Sequence, residues 1–232
     1  MSKKELVEIK RNQTGHGLLI EHDGYISMDN AKIQQIKESI SNHDGDWYCP
    51  NPFIVDAVFQ KYDIENANGR IYPEAVLKRE VEKYQVRIRE RRALGECNHP
   101  SDSVIDLGRI SHNIIELHWE GRTLVGKIEL NLSQGYVRHG ICSTLGDTVA
   151  NLLLNGYKIG VSSRGVGSVE NKYGKMIVGD DFEIICWDVV CDPSTPNAYI
   201  GKKEELQQYV ETKECIGDII TEKINKIKKI LD

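Results

Sequence analysis

The most apolar strand-like run of this chain, residues 182–191, constrains its fold more than any other segment. The letters FEIICWDVVC predict a β-strand, and a carboxylate in its middle, Asp188, interrupts the apolar pattern. Because a carboxylate is costly to bury unless it is hydrogen-bonded, we expect a polar partner for Asp188. The segment therefore predicts a β-containing core that holds a polar contact.

Strand and helix patterns alternate in the first half of the chain. Pro73 stands where a helix would begin, which suits its fixed φ and missing N–H, and an apolar face follows over residues 74–92. The other elements predicted here are two short strands over 17–26 joined by a turn at Asp23-Gly24, a helix over 30–44 and a strand over 53–59.

Strand patterns dominate the second half. The predicted elements are a hairpin over 104–118 and 122–132 that turns at Glu120-Gly121, a helix over 144–154, strands over 157–163 and 176–178, and a long helix from Lys203. Several strands with few helices predict the α+β class, with a small β-barrel or sandwich core flanked by helices and a long C-terminal helix. We expect an N-terminal segment over 1–45, a main domain over 46–202 and an amphipathic helix over 203–232.

Composition excludes some classes of protein. The chain has 232 residues, of which 40% are hydrophobic and 28% charged, as in ordinary soluble domains. Its net charge of −5 argues against a nucleic-acid-coating protein, whose affinity would come from Lys and Arg. The six cysteines form no CxxC pair, and we find no apolar leader and no run of eighteen apolar residues. These features predict a cytosolic protein with reduced thiols that does not enter a membrane.

The first candidate for chemistry is His99, in the Gly- and Pro-punctuated segment RALGECNHPSDS over residues 92–103. We expect this segment to be a loop between the helix over 74–92 and the hairpin that follows. Catalytic groups concentrate on loops held by a rigid scaffold. An exposed turn histidine is the plainer interpretation of the same pattern.

The second candidate is the segment YKIGVSSRGVGSV over residues 157–169, in which a strand runs into Ser162 and Ser163. Glycine allows close backbone approach to a ligand, and N–H groups turned outward just past a serine are what an oxyanion hole requires. A Gly-rich turn with incidental serines would have the same sequence. The spacing of a phosphate-binding P-loop is missing.

The third candidate is Asp188 itself. A histidine N–H would satisfy its carboxylate and would itself be oriented by it, but a backbone group or an arginine would also serve. Asp192 is an alternative in the same segment, although with Pro193 it would also suit the start of a turn. A histidine, a serine and an aspartate thus stand on three separate elements, and only their geometry decides whether they act together.

Two other enzyme classes fit the sequence less well. Cys97, His99, His112 and His118 could be read as metal ligands, but their spacing matches no zinc pattern and HExxH is missing. Cys97 could be read as a nucleophile, but it lies two residues from His99, and side chains at that spacing rarely meet productively.

Four stretches resemble one known family, the prohead core proteases of tailed, myovirus-type bacteriophages, which are distantly related to the herpesvirus assembly protease. They are NGRIYPEAVL (68–77), ALGECNHP (93–100), GVSSRGVGSV (160–169) and WDVVCDPSTPNA (187–198). Their order and separation also resemble the family over roughly residues 50–200. The resemblance implies a serine endopeptidase with a herpesvirus-protease-like fold and no cofactor.

The resemblance also implies roles for individual residues. His99 matches the family histidine and is expected to be the general base. Ser163 is the favoured nucleophile because Gly165 supplies the small residue that related proteases place two positions later, and Ser162 is the alternative. Asp188 is the favoured third member, ahead of Asp192, His112 and Asp106. Backbone N–H groups near Arg164 and Gly165 are expected to bind the oxyanion, and the Arg164 side chain is expected to add charge there or to read an acidic P1 residue.

The substrates that the resemblance implies are scaffold or core proteins, the major capsid protein and the protease itself, inside the procapsid in the host cytoplasm. Family members cut after an acidic residue with an apolar residue two positions earlier. Glu38 with Ile36 fits such a site, which predicts a removable segment over 1–38. The stripe of the C-terminal helix would pack on its own domain, join a homo-oligomer or bind a scaffold. The alternative function is a structural or scaffolding protein that keeps the fold without activity.

Overall fold

The computed structural model of the protein describes residues 6–42, 48–98, 100 and 103–191, and the statements below refer to these residues. They form nine strands and four α-helices. In chain order these are β1 (Gly15–Ser27), α1 (Asn30–Ser41), β2 (Ile54–Lys61), β3 (Arg70–Ile71), α2 (Glu74–Arg89), β4 (Leu94–Glu96), β5 (Ile110–Glu120), β6 (Thr123–Leu130), α3 (Gln134–His139), α4 (Leu145–Leu154), β7 (Gly160–Lys172), β8 (Lys175–Val178) and β9 (Glu183–Val190).

The strands form one strongly curled sheet. On one side of β7 the antiparallel order runs β7-β1-β2-β6-β5-β4, and on its other side β7 pairs with β9 and β8. The two ends of this order approach each other, because Cys97 just after β4 forms a parallel bridge with Val189 of β9 and the Asn98 N–H donates to the Val189 carbonyl at 2.8 Å. The predicted α+β fold with a barrel-like core flanked by helices is confirmed.

Helix α2 lies along the edge of β9 and satisfies polar groups there. The Glu80 carboxylate accepts from the Ile184 N–H at 3.2 Å, and the Arg79 guanidinium donates to the Phe182 carbonyl at 3.0 Å. Unpaired backbone groups at a buried strand edge would otherwise cost stability. The helix therefore covers the start of β9, where it satisfies backbone groups that do not pair with β7.

The interior of the sheet is apolar and aromatic. Trp187 of β9 is fully buried, with ring centroids 5.6 Å from Phe59 of β2 and 4.9 Å from Tyr84 of α2, both edge to face. Such pairs add about 0.5–1.5 kcal/mol beyond the area they bury. This cluster joins β9 and β2 to helix α2.

The segment over 17–26 is one strand rather than two. The Asp23-Gly24 pair lies at a β-bulge between Glu21 and Gly24 of β1, and a Cβ on Gly24 would stand 2.3 Å from the Val58 carbonyl oxygen. Glycine is needed here for the close approach of β2, not for a turn. The turn signal in the sequence was therefore a bulge signal.

The first 45 residues are not peripheral to the sheet. Strand β1 lies between β7 and β2, so the boundary expected at residue 45 separates a central strand from its neighbours. A cut after Glu38 would fall within α1 and would detach β1 from the rest of the chain. The positions of β1 and α1 thus argue against residues 1–38 as a dispensable segment.

Strand β7 is longer than the sequence predicted. It continues through the glycines to Lys172, because Gly165 and Gly167 lie in extended strand against Phe182 rather than in a turn. The short β3, β4 and α3 had no predicted counterpart, and the expected helix over 203–232 lies outside the described residues. None of the helices in the described part of the chain is long and apolar enough to span a membrane.

Candidate active site

The polar partner that the sequence required for Asp188 is an arginine. The Arg164 Nε atom lies 3.0 Å from Asp188 Oδ2, and both side chains are fully buried. The Glu96 backbone N–H also donates to Asp188 Oδ1 at 3.1 Å. The carboxylate on β9 is therefore fixed from β7 and from β4.

A second carboxylate completes this buried cluster. Glu96 Oε2 lies 2.5 Å from Arg164 Nη2, and the Glu96 side chain is also fully buried. The same nitrogen donates to the Cys186 sulfur at 3.1 Å. Burial alone would lower the pKa of Arg164, but Cys186, Asp188 and Glu96 together raise it, so the guanidinium stays charged.

The cluster joins the segments that carry the candidate residues. Glu96 ends β4 three residues before His99, Arg164 directly follows the two serines in β7, and Asp188 lies on β9. The Asp106 N–H donates to Glu96 Oε1, so the loop after His99 is also tied to the cluster. Three strands thus meet at a single guanidinium, and the loop is joined to them through the Glu96 carboxylate.

Ser162 lies on the same face of the sheet as this cluster. It is in register with Asp188 across the β7–β9 pair, and Arg164 is two residues along the same strand. The Ser162 hydroxyl donates to the Glu21 carbonyl at 2.8 Å, and the residue is fully buried. The structure thus brings together Ser162, Arg164 and Asp188.

Ser163 lies on the opposite face, toward the interior of the curled sheet. It is in register with Trp187 of β9 and Glu21 of β1, and it is 1% exposed. The small residue that favoured Ser163 has a packing explanation, because a Cβ on Gly165 would stand 2.4 Å from the Phe182 ring. The structure does not place Ser163 on the face that carries Asp188.

His99 and Asp192 lie outside the described residues, but the chain that leads to His99 is described. The Asn98 N–H donates to the carbonyl of Val189, and Val189 is in register with Val161 of β7. Asn98 has φ +64°, a left-handed conformation that asparagine adopts more readily than most residues. The chain therefore turns sharply at Asn98, one strand away from the end of β7 that carries Ser162.

The NGRIY motif (residues 68–72) and the nearby Asn66 surround a buried carboxylate on β1. Glu21 accepts hydrogen bonds from Arg70 Nη1 at 2.5 Å, Tyr72 Oη at 2.7 Å, Asn66 Nδ2 at 2.8 Å and Asn68 Nδ2 at 2.7 Å. Asn68 Nδ2 also donates to a β1 carbonyl, at Ile20, at 2.9 Å. The motif therefore fixes the strand that pairs with the serine strand.

Sequence reasoning missed Glu96 and Glu21 as parts of the site. Glu96 lies in the histidine motif, close to Cys97 and His99, but its burial depends on partners 68 and 92 residues away in the chain. Buried glutamates are rare unless paired, so a local pattern predicts an exposed side chain. The presence of Glu96 and His99 in the same short motif was the available signal.

Two alternative members of the site have other partners. His112 is fully buried, with Nδ1 2.8 Å from Ser111 Oγ and Nε2 3.1 Å from the Trp187 carbonyl oxygen. Burial lowers the pKa of His112 to about 4, so its ring is neutral near pH 7. Asp106 accepts from the Gly108 N–H at 2.8 Å and caps a short 3₁₀ turn.

The residues considered as metal ligands or as a thiol nucleophile are also located. His118 is half exposed, with Nδ1 3.1 Å from Glu116. The pKa of Cys97 is raised by burial and then by the nearby Cys191, which disfavours the reactive thiolate. Within the ranges that the structure describes, no three His, Cys, Asp or Glu side chains are grouped to hold a metal ion.

Comparisons with known proteins agree on one family. The family described as "Prohead core protein serine protease" matches residues 18–211. The "Prohead core protein protease" of Enterobacteria phage T4 is 30% identical over 169 residues, which are 71% of this chain and 76% of that protein. The solved capsid assembly protease of bacteriophage T4 superposes with a TM-score of 0.58 at 24% identity, over 75% of this chain and 96% of that one, which supports the fold.

The family match includes the histidine and serine motifs and most of β1, whose Glu21 anchors the NGRIY motif. It also includes all three strands that meet at Arg164. The resemblance noted from four sequence stretches is confirmed. The chain belongs to the prohead core protein serine protease family.

Proposed function

We propose that this protease is a serine endopeptidase in which Ser162 is the nucleophile, His99 the general base and Asp188 the carboxylate that orients His99. The observation that carries the proposal is the shared face of Ser162 and Asp188 on two paired strands. Ser163, the nucleophile expected from the sequence, is the alternative that experiment must separate from Ser162, because it lies on the interior face beside Trp187.

The proposed reaction follows the general scheme of serine proteases. His99 takes the Ser162 Oγ proton as Oγ attacks the scissile carbonyl carbon, and it then gives that proton to the leaving amine. Water hydrolyses the resulting acyl-enzyme by the same route and restores the serine. General-base assistance of this kind contributes typically ~10²–10⁴ in rate.

The Ser162 proton has a different acceptor in this structure. The hydroxyl donates to the Glu21 carbonyl, so it must rotate toward His99 before it can attack. Both serines are at most 1% exposed, so a peptide reaches either hydroxyl only after the layer that covers it moves. We therefore propose that the described conformation precedes substrate binding.

Arg164 takes a different role in this proposal from the one that the sequence suggested. Its side chain is fully buried and paired with two carboxylates, so we do not assign it to an acidic P1 residue of the substrate. Arg164 and Gly165 also lie in a strand that pairs with β1 on one edge and β9 on the other. We therefore do not assign the oxyanion donors to these two residues.

The substrates we propose are the scaffold or core proteins and the major capsid protein of the same phage, cleaved inside the procapsid during maturation. The family description places such proteases in the prohead core, and the solved relative is named for capsid assembly. Removal of scaffold polypeptide would empty the shell for the genome. Self-cleavage within α1 is not part of the proposal, because β1 precedes it.

The test compares two neighbouring serines. The purified variants Ser162→Ala and Ser163→Ala are incubated with scaffold polypeptide and with major capsid protein, and the products are mapped by mass spectrometry. We expect Ser162→Ala to abolish cleavage and Ser163→Ala to retain it. Loss of cleavage only in Ser163→Ala would transfer the role to Ser163, and undiminished cleavage by both variants would exclude a serine mechanism at this site.

A further inference from the structure

The buried cluster of Glu96, Arg164 and Asp188 joins β4, which leads to His99, to β7, which carries Ser162. We propose that Glu96 and Arg164 are positioning residues that hold Asp188 and the strand leading to His99 against the strand of Ser162. This inference rests on the proposed serine mechanism and adds two residues to it. Neither residue is assigned a contact with substrate.

The geometry of the guanidinium suits this task. Arg164 uses Nε for Asp188, at 3.0 Å, and Nη2 for Glu96, at 2.5 Å. Because the guanidinium is planar and its nitrogen positions are fixed, it sets the two carboxylates at a defined separation. A lysine at this position would keep the charge but could not reproduce both directions.

The strand that precedes His99 needs such support. Strand β4 has only three residues, Leu94–Glu96, which pair with β5 on one side. Just beyond its end, the chain is linked to β9 by the bridge at Cys97 and the hydrogen bond from Asn98. The Glu96 N–H to Asp188 and the Glu96 carboxylate to Arg164 add two further bonds at the end of β4. Glu96 is thus held through both its backbone and its side chain.

The cost of the cluster also indicates a functional role. Moving ions out of water carries a penalty of several kcal/mol each, and well-packed apolar side chains are often at least as stabilising as a buried ion pair. The cluster nevertheless contains three fully buried charged side chains, and Ser162 lies on the same face of the sheet. The planar guanidinium fixes the directions of its two carboxylate partners, which apolar side chains in its place would not do.

The first variant is Glu96→Gln, which keeps the shape of the side chain and removes its charge. Steady-state cleavage of a peptide copied from a mapped scaffold site gives kcat and KM separately, well below the melting temperature. We expect kcat to fall at least about tenfold, toward the ~10²-fold loss that a small misplacement of reacting groups can cause, with KM within about twofold of wild type. Arg164→Lys, which keeps the charge but loses the planar fork, is expected to behave in the same way.

A matched control separates positioning from stability. Glu80 is also a buried carboxylate that anchors β9, through the Ile184 N–H, but it contacts none of the cluster residues described here. Glu80→Gln is expected to lower the melting temperature while kcat stays within about twofold of wild type. If Glu80→Gln lost as much kcat as Glu96→Gln at equal loss of stability, the positioning role would be refuted.

Failure of this inference is distinguishable from failure of the proposed function. If Ser162→Ala is inactive while folded Glu96→Gln and Arg164→Lys both keep wild-type kcat, the mechanism stands and the positioning role is overturned. If Ser162→Ala cleaves as well as wild type, the proposed nucleophile fails, whatever the cluster variants do.

Discussion

Arg164 and Asp188 form a fully buried ion pair, Nε to Oδ2 at 3.0 Å, that joins β7 to β9 beside Ser162. The relationship explains why an aspartate interrupts the most apolar strand of the chain. It also links the two sequence motifs, because the same guanidinium binds Glu96 in the segment that leads to His99.

Loss of Arg70 from its buried pair with Glu21 is expected to destabilise the fold strongly. Arg70→Met removes the guanidinium and leaves the Glu21 carboxylate buried with only neutral donors, which should cost about 3–5 kcal/mol. Urea unfolding followed by far-UV circular dichroism measures the change. Arg91→Met, which removes an exposed pair with Glu129, is the control and should cost less than about 1 kcal/mol. Equal effects of the two changes would contradict the assigned importance of the Glu21 cluster.

Gly165 is expected to be required for packing. Alanine there would place a methyl group against the Phe182 ring, so Gly165→Ala should destabilise the protein by about 1–3 kcal/mol. Thermal unfolding of Gly165→Ala and of the double variant with Phe182→Leu tests this, since the smaller side chain should recover part of the loss. Gly135→Ala is the control, because its Cβ would meet no atom closer than 3.6 Å. Equal stability of Gly165→Ala and wild type would contradict the packing role.

His112 is expected to make the fold sensitive to acid. Burial lowers its pKa to about 4 from 6.5, so the unfolded chain binds a proton more readily than the folded one. The stability from the neutral ring is fully present above pH 6.5 and is lost as the pH falls toward 4, by up to about 3 kcal/mol. Urea unfolding of wild type and His112→Gln across this range isolates the contribution. Parallel stability profiles for the two proteins would show that His112 does not titrate as described.

Asp23, in the bulge of β1, is expected to make the fold less stable as the pH rises. Burial, and then the charge of Glu21, raises the pKa of Asp23 to about 7 from 3.8. The folded state therefore binds the proton more tightly, and stability is lost as the pH rises from about 4 through 7. At pH 8, the free energy of unfolding of Asp23→Asn in urea should exceed that of wild type by about 1–3 kcal/mol. The difference should be smaller at pH 4. A constant difference at both values would contradict the raised pKa.

Local sequence rules were sufficient where local chemistry decides the structure. Pro73 precedes α2, and the hairpin of β5 and β6 turns at Gly121, which has φ +57°. The requirement for a polar partner at Asp188 also followed from the cost of burying a carboxylate. An arginine was one of the partners considered from the sequence, and it is the one found.

Long-range register decided what the sequence could not. Which of two adjacent serines shares a face with Asp188 depends on the pairing of β7 with β9, and one step of register would exchange them. Gly24 was read as a turn because its need for a bare Cα comes from β2, 34 positions away at Val58. Glu96 looked like a loop residue because its partners lie on strands formed much later in the chain.

The nucleophile can be identified directly by labelling the protein with a fluorophosphonate, which reacts covalently with activated serines, and mapping the adduct by peptide sequencing. We expect a single adduct on Ser162 in the wild-type protein and none when His99 is replaced by alanine. An adduct on Ser163 instead, or equal labelling of Ser162 without His99, would contradict the assignment of Ser162 as a nucleophile activated by His99.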